Sequence, residues 1–382
     1  MNFSVINQTT NSFDTVSVNK LVGTNITSSN VVSNSFLTPF QFQGFAQNTV
    51  DTTTITGLVG STKWFGGVLA PNGKIYSVPF NSSSVLVIDP VLNTTTTIVL
   101  PTSSETLRWF GGVLAPNGKI YCVPYNSTSV LIIDPATNTV DTTTISGLSS
   151  VQFKWVGGVL GQNGKIYCVP FNSTSVLIID PTTNTVDTTT LSGLSATPYK
   201  WTGGALGLNG KIYCIPYDST SVLVIDITTT IPTTSSLGAL AGSGKWVGGV
   251  LAPNGNIYGI PRDSTTVLII NPSGAGSVDT ATITGLPGPP DIYDKWYGGV
   301  LAQNGKIYCV PFNSATILVI DPSTNTTSTI AVSADNVKWV GGVLAPNGRV
   351  YYIPADNQSV LQVKTSLSTL PDWMLQAYFN KF

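Results

Sequence analysis

The sequence predicts an all-β fold, a seven-bladed β-propeller of four-stranded blades whose ring is closed by an N-terminal strand. A motif of Lys or Arg, Trp, Gly-Gly and Asn-Gly occurs seven times, and its Trp residues are spaced by 45, 46, 46, 45, 50 and 43 positions. Each unit contains four short apolar or Thr-rich runs separated by turn residues, without helical periodicity. Four short strands in a unit of about 45 residues are typical of a propeller blade.

Residues 154–194 show the order of the four strands. The apolar run WVGGVLGQ comes first, and Asn-Gly follows it, a turn that needs positive φ at both central residues. The second run, KIYCVP, ends at Pro170, which cannot continue a ladder. SVLIID is the third strand and the turn residues DPTTN end it, so that TVDTTTL forms the Thr-rich outer strand. The first strand is therefore innermost, where its Gly-Gly permits close approach at the axis.

The ends of the repeat predict how the ring closes. The last unit, from residue 338, lacks the Thr-rich fourth strand. A spare copy, NTVDTTTITGL, stands at residues 48–58 and nearly matches NTVDTTTISGL at 138–148. We expect the N-terminal copy to supply the outer strand of blade seven, which removes an exposed edge. The predicted propeller domain covers residues 48–366.

Two terminal segments flank this domain. Residues 1–47 are rich in Asn, Ser and Thr, and their apolar residues Val16, Leu21, Ile26, Val31 and Phe36 are spaced by five. They are expected to be either an extended arm or a stalk that anchors the propeller. Residues 367–382 contain LPDWMLQAYFNKF (370–382), predicted as one short amphipathic helix that caps a propeller face or docks a partner. Neither a signal peptide nor a membrane span is expected.

The stretch PNGKIYCVPYNSTSVLIIDPATNTVDTTTI (116–145) resembles the YVTN-type β-propeller repeat, and the resemblance covers residues 48–364. That family includes surface-layer, adhesive and binding propellers, so the resemblance implies the fold and no single activity. The added Trp-Gly-Gly is similar to uncharacterised repeat propellers of giant DNA viruses. TNITSSNVVSNSF (24–36) resembles the shaft repeats of phage and viral fibres.

Composition restricts the class of function. Charged residues make up 9% of the chain, against roughly 25% in ordinary soluble proteins. The net charge of −1 gives no basic field for nucleic acid or an anionic membrane. A Ser, Thr and Asn surface is typical of proteins outside cells or on particles. The four cysteines share one repeat position and are expected to be buried free thiols, which indicates folding in a reducing compartment.

The candidate site is a ring of cations and tryptophans at one mouth of the central channel. Its members begin the innermost strands, and an arginine of blade five joins them: Lys63, Trp64, Arg108, Trp109, Lys154, Trp155, Lys200, Trp201, Lys245, Trp246, Lys295, Trp296, Lys338, Trp339 and Arg262. Loops on the same face carry Phe80, Tyr125, Phe171, Tyr217 and Phe312.

Two interpretations of this ring are open. Aromatic residues beside cations in a concave mouth could bind a sugar or an anion. Alternatively, each Trp wedges between blades and each cation pairs with a nearby acid or carbonyl. Arg262 in blade five and Ala355 in blade seven break the aromatic rule, so these are the blades in which an asymmetric site would show. The Asp that ends most third strands is expected to cap the following turn.

The sequence argues against catalysis. It contains no His, no carboxylate pair that stands out from the repeat, and no metal cluster, and its cysteines lack a His partner. No cofactor or metal is therefore expected.

Three functional hypotheses follow. The first is a structural or attachment protein on a particle surface, a viral capsid or fibre component made in the host cytoplasm. Residues 1–47 would bind other structural proteins of the particle, with a homotrimer as one expected state, and the propeller would bind a partner protein or host glycan. The second is a cytoplasmic scaffold for protein–protein interaction. The third is a propeller enzyme, which a metal or cofactor in the channel would reveal.

Overall fold

The computed structural model describes residues 48–101, 105–288, 292–332 and 338–365. These residues form 28 strands in seven four-stranded antiparallel sheets, arranged as a β-propeller, so the predicted fold is confirmed. The predicted arm (1–47) and C-terminal helix (370–382) lie outside the described residues. In the described part of the chain, no helix has the length and apolar character needed to cross a membrane.

Six blades are continuous in sequence, and each runs from the innermost to the outermost strand. Blade one comprises β2 (Trp64–Leu69), β3 (Ile75–Pro79), β4 (Ser84–Asp89) and β5 (Thr94–Val99). Blade two comprises β6 (Trp109–Leu114), β7 (Ile120–Pro124), β8 (Leu131–Asp134) and β9 (Thr139–Asp141). Blade three comprises β10 (Trp155–Leu160), β11 (Ile166–Pro170), β12 (Leu177–Asp180) and β13 (Thr185–Asp187).

The next three blades repeat this order. Blade four comprises β14 (Trp201–Leu206), β15 (Lys211–Pro216), β16 (Val222–Asp226) and β17 (Thr233–Leu237). Blade five comprises β18 (Trp246–Leu251), β19 (Ile257–Pro261), β20 (Leu268–Asn271) and β21 (Ser277–Asp279). Blade six comprises β22 (Trp296–Leu301), β23 (Ile307–Pro311), β24 (Thr316–Asp321) and β25 (Thr326–Ala331).

Blade seven is assembled from both ends of the repeat region. Its inner strands are β26 (Trp339–Leu344), β27 (Arg349–Pro354) and β28 (Leu361–Lys364), and its outer strand is β1 (Thr49–Asp51). β1 is antiparallel to β28, with Val50 opposite Val363. Asn48, just before β1, accepts a hydrogen bond of 2.8 Å from the Tyr308 hydroxyl of blade six. The prediction that an N-terminal strand closes the ring is confirmed.

The innermost strands approach each other through glycine. In every blade a β-bulge places one extra residue between the Trp and the second Gly, as between Trp155 and Gly158. The first Gly of each pair has a positive φ, from 61° to 91°. A Cβ on any of these seven glycines would lie 2.8 to 4.0 Å from the Cα of the equivalent Gly in the next blade. The close approach predicted for Gly-Gly is therefore present all around the ring.

The hydrophobic core lies between the blades. Among the described residues, seven apolar clusters each combine side chains from two adjacent blades. Between blades two and three, for example, Tyr121 and Ile132 pack with Trp155 and Ile166. The four cysteines lie in this layer, fully buried and unpaired, and burial raises the pKa of each thiol. The predicted free thiols are thus confirmed.

The opposite end of the innermost strand carries a second set of cations. The Lys after Asn-Gly forms an ion pair with the Asp that ends the third strand, as between Lys165 Nζ and Asp180 Oδ2 at 3.2 Å. The other oxygen of the same Asp accepts a hydrogen bond of 3.0 Å from the backbone N–H of Thr182. The predicted capping role is confirmed, and the ion pair is an addition that the sequence reasoning did not include.

Candidate functional site

The cations and Trp residues of the ring stand where the innermost strands begin, on the face of the disc called here the Trp face. Its seven Trp side chains are 1 to 5% exposed, and its Lys63, Arg108 and equivalent cations are 0 to 4% exposed. Each Trp packs in the core between its own blade and the preceding one. Its indole N–H donates to a carbonyl at the start of its own third strand, as from Trp155 to Ser175 at 2.8 Å.

The buried cations of this ring donate to backbone carbonyls. Lys63 Nζ lies 2.8 Å from the carbonyl oxygens of both Gly60 and Ala355. Lys200 Nζ lies 2.9 Å from the carbonyl of Thr197 and 3.2 Å from that of Phe171. Lys63 and Lys200, like Lys154, therefore join their own loops to the preceding blade. Burial lowers the pKa of Lys200 to about 8, as it does for the equivalent lysines of blades three and six.

These contacts are those of the structural interpretation, in which Trp wedges between blades and the cation pairs with carbonyls. The side chains have little surface left for a ligand, because burying such polar groups requires internal partners. Direct contact between a ligand and the fourteen Lys, Arg and Trp residues of the ring stays a prediction. Arg262 differs from them, since its side chain is 16% exposed.

Large side chains at the axis cover the Trp face. The residue after Trp points to the axis, and it is Phe65 in blade one, Phe110 in blade two and Tyr297 in blade six. Phe110 and Tyr297 have ring centroids 6.0 Å apart, although their blades are far apart around the ring. The aromatic side chains therefore meet across the mouth of the channel. The sequence analysis missed this position because it varies between blades, unlike the Trp before it.

A continuous series of aromatic contacts extends from the axis over blades one to four. We call it the aromatic arc. Its centroid distances lie between 4.0 and 6.3 Å, and its members are Phe65, Phe80, Phe110, Tyr125, Phe153, Phe171, Tyr199 and Tyr217. Tyr199 is 40% exposed, while Tyr125, Phe153 and Tyr217 are half-buried. Burial raises the pKa of Tyr125 and Tyr217, so their phenols are neutral at physiological pH.

A latch between neighbouring blades holds the loops of this face. We call the loop position of Phe80, Tyr125, Phe171, Tyr217 and Phe312 the aromatic position, although Arg262 and Ala355 occupy it in blades five and seven. In six blades of the described chain, the next residue is an Asn or Asp that accepts a hydrogen bond from a backbone N–H in the loop of the following blade. In one such latch, Asn172 Oδ1 lies 2.8 Å from the Tyr199 nitrogen. The donor residue always has a positive φ, which is 58° at Tyr199. This turn projects Phe153 and Tyr199 onto the aromatic arc, two residues that the sequence reasoning did not select.

Blade five, one of the two blades that break the aromatic rule, departs from the arc. Arg262 occupies the aromatic position, and its guanidinium lies 4.9 Å from the Tyr217 ring centroid. Arg262 forms ion pairs with Asp263, at 2.5 Å, and with Asp294 from the loop of blade six. Burial raises the pKa of Asp294, and the nearby Arg262 opposes this rise. Within the described residues, no three His, Cys, Asp or Glu side chains form a group that could hold a metal ion.

Comparison with known proteins supports the fold alone. No protein-family model matches the chain, and no curated protein does either. Among solved structures, a streptogramin B lyase is similar at a TM-score of 0.67 and 12% identity, over 83% of this chain and 97% of that one. A catalytically inactive histidine-to-alanine variant of virginiamycin B lyase from Staphylococcus aureus with quinupristin has a TM-score of 0.65 and 10% identity, over 83% and 99%. Hydrazine synthase from Kuenenia stuttgartiensis has a TM-score of 0.60 and 16% identity, over 85% and 100%.

Proposed function

We propose that this chain is a non-enzymatic attachment protein whose propeller binds a partner or host glycan through the aromatic arc. The observation that carries the proposal is the continuity of the arc. Eight aromatic side chains from four blades touch in series on one face, and the half-buried members present ring surface outwards. Aromatic side chains give large contact area at a low cost in conformational entropy, and they are enriched where proteins bind ligands.

The arrangement of the channel supports binding over catalysis. The glycine ring brings the seven innermost strands into close contact, and aromatic side chains meet across the Trp face. Cations of the cation–tryptophan ring donate to carbonyls of the fold and act as a supporting layer beneath the arc. One lyase of the same fold is named as inactive after loss of a histidine. The 382 residues of this chain include no histidine to take such a role.

The proposed location is a particle surface, as a component of a viral capsid or fibre. The low content of charged residues and the Ser-, Thr- and Asn-rich surface support it. The resemblance of residues 24–36 to fibre shaft repeats suggests that residues 1–47 bind other structural proteins of the particle or assemble into a trimer. An intracellular scaffold is the second candidate. The four buried free thiols indicate folding in a reducing compartment, which fits both candidates.

Light scattering on two chains tests the anchoring role of residues 1–47. One is the full chain and the other begins at Asn48, which retains β1 and its contact with Tyr308. We expect a trimer or larger assembly for the full chain and a monomer for the shorter one. Monomers in both cases would contradict self-assembly through the arm and would favour the scaffold.

An array of immobilised glycans tests the arc. We expect the wild-type protein to bind members of the array and Tyr199→Ala to lose binding, because Tyr199 is the most exposed ring of the arc. Tyr293→Ala is the matched control, since Tyr293 is 54% exposed on a loop of the same face. Equal loss in both variants would contradict a role specific to the arc.

A further inference from the structure

The rim of the Trp face has a polar contact pair at one joint in the positions where two other joints have an aromatic pair. At two successive joints the aromatic position packs on the latch residue of the next blade, with Tyr125 5.0 Å from Phe153 and Phe171 5.2 Å from Tyr199. At the joint of blades five and six the same two positions hold Arg262 and Asp294, which form an ion pair. An aromatic pair has therefore been replaced by a polar pair in an otherwise similar frame.

The backbone frame around this pair is unchanged. Asp294 has φ of 54°, close to the 58° of Tyr199, and its N–H donates to Asp263 Oδ1 at 2.6 Å, as that of Tyr199 donates to Asn172. The following Lys295 is buried and donates to a carbonyl, as Lys200 does. The two joints thus share the turn that presents the pair and differ in its side chains, although the loop before Asp294 is longer: Asp279 and Asp294 are 15 positions apart, against 12 for Asp187 and Tyr199.

The polar pair directly continues the aromatic arc. The guanidinium of Arg262 lies over Tyr217, the last ring of the arc, so the series of contacting planar groups continues from Tyr217 to Arg262. Asp294 is 27% exposed and Arg262 16% exposed, so both reach solvent beside the half-buried Tyr217 and Tyr297. An apolar platform and a fixed set of hydrogen-bonding groups therefore lie side by side at one point of the rim.

We propose that this point, formed by Tyr217, Arg262 and Asp294, binds an uncharged sugar residue of the ligand, an inference that rests on the proposed glycan-binding function. A pyranose has a C–H face that packs on an aromatic ring and a periphery of hydroxyls that donate to carboxylates and accept from guanidinium groups. Hydrogen bonds to charged partners are the stronger ones, and a site built to bond hydroxyls discriminates well between ligands.

The local charge favours a neutral ligand. Arg262 faces two carboxylates, those of Asp263 and Asp294. The buried Lys295 donates to the carbonyl of Ser264 and interacts electrostatically with Asp263, so the two cations and the two carboxylates balance. An anionic sugar would therefore have to compete with these carboxylates for Arg262. Sialylated and sulfated glycans are therefore expected to bind more weakly than uncharged ones that share the same core.

A graft of the protein's own repeat tests this inference in the full chain. The triple variant Arg262→Phe, Asp263→Asn, Asp294→Tyr gives the joint of blades five and six the rim of the joint of blades three and four, which carries Phe171, Asn172 and Tyr199. It should fold, because the structure already accommodates these residues in the same backbone frame. Circular dichroism and the thermal midpoint check this, and Tyr293→Ala is the surface control.

The binding assay is the same array, with neutral oligosaccharides and their sialylated and sulfated forms as probes. We expect the wild type to prefer neutral probes and the folded triple variant to bind them about tenfold or more weakly, as for the loss of hydrogen bonds to charged groups. Undiminished binding by the triple variant, together with loss in Tyr199→Ala, would overturn this inference and leave the proposed function standing. Preference of the wild type for acidic probes would overturn it as well. Absence of any glycan binding by the wild type would overturn both this inference and the glycan part of the proposed function.

Discussion

Replacing Gly341 by Ala is expected to destabilise the propeller more than replacing Gly298 by Ala. Both residues are the first Gly of their pair and both have positive φ, 74° and 89°. A Cβ on Gly341 would lie 2.8 Å from the Cα of Gly66, the backbone of blade one. A Cβ on Gly298 would lie 4.0 Å from the nearest Cα, that of Gly341, which is ordinary contact. The two substitutions therefore share the backbone strain and differ in the clash.

The expected magnitudes follow from these two contributions. An L-residue in the left-handed region costs about 1 to 2 kcal/mol. Overpacking of a well-packed interior adds about 1 to 3 kcal/mol, and here the obstacle is backbone, which cannot rotate away as a side chain does. We therefore expect a loss of about 1 to 2 kcal/mol in unfolding free energy for Gly298→Ala and about 2 to 5 kcal/mol for Gly341→Ala. Gly157→Ala, with its Cβ 3.1 Å from the next Cα, should lie between them.

Urea unfolding followed by tryptophan fluorescence measures this series. The buried Trp of each blade reports the loss of every joint between blades, and the midpoint shift is interpretable if the slope is unchanged. Equal losses for Gly341→Ala and Gly298→Ala would refute the reasoning, because they would mean that φ alone matters. A reversed order would show that the seven innermost strands can move apart at little cost.

Three further predictions follow from the described contacts. Hydrogen bonds from Thr54 hold the pKa of Asp51 at about 2, below the usual 3.8. This carboxylate therefore stabilises the fold above pH 4, and its contribution is lost as pH falls towards 2. In Asp51→Asn the urea midpoint should change less between pH 4 and pH 2 than in the wild type. The thiol of Cys122, fully buried with a raised pKa, should react with a thiol reagent only after unfolding, and rapid labelling of the native protein would contradict this. A chain that begins at Thr53 lacks β1, and its unfolding free energy should be about 2 to 3 kcal/mol lower than that of a chain that begins at Asn48, because hydrogen bonds worth about 1 kcal/mol each are lost. Identical urea midpoints would refute a closing role for β1.

The fold could be predicted because its determinants are local and repeated. Pro at the end of the second strand and the spare copy at residues 48–58 each have one structural meaning, and the structure bears out both. The Asn-Gly turn also forms, but the expectation of positive φ at both Asn and Gly is wrong. Only the Gly has a positive φ, and the Gly73 N–H donates to the Ala70 carbonyl, so that Pro71 and Asn72 are the central residues. Repetition also gave the position of the buried Trp and of the glycine ring. The sequence reasoning could not choose between a ligand ring and an internal role for Lys63 and its equivalents, since that choice depends on which carbonyls come within reach of each ammonium group.

The aromatic arc was only partly predictable. Phe80, Tyr125, Phe171 and Tyr217 were selected because they recur at one repeat position. Phe65, Phe110, Phe153 and Tyr199 occupy positions that differ from blade to blade, so a reading based on the repeat treated them as variation. Their contacts arise between blades, across sequence separations that no short pattern records. Asp294 was missed for the same reason, although Arg262, its partner, had been singled out as an exception.

The pairing of β1 with β28 is the place where the closed ring can open at the ends of the chain. In a linear array of repeats, the terminal units have only one neighbour and fray first. Here each blade shares its apolar surface with two others, and blade seven is completed by residues from both ends of the repeat region. No blade can leave until a joint opens, and the three-residue pairing of Thr49–Asp51 is the ladder at which the two ends of the repeat region meet. A force applied to the chain before Asn48 would therefore act directly on β1, the strand that closes the ring. If the N-terminus were anchored, the mechanical stability of all seven blades would depend on this one pairing.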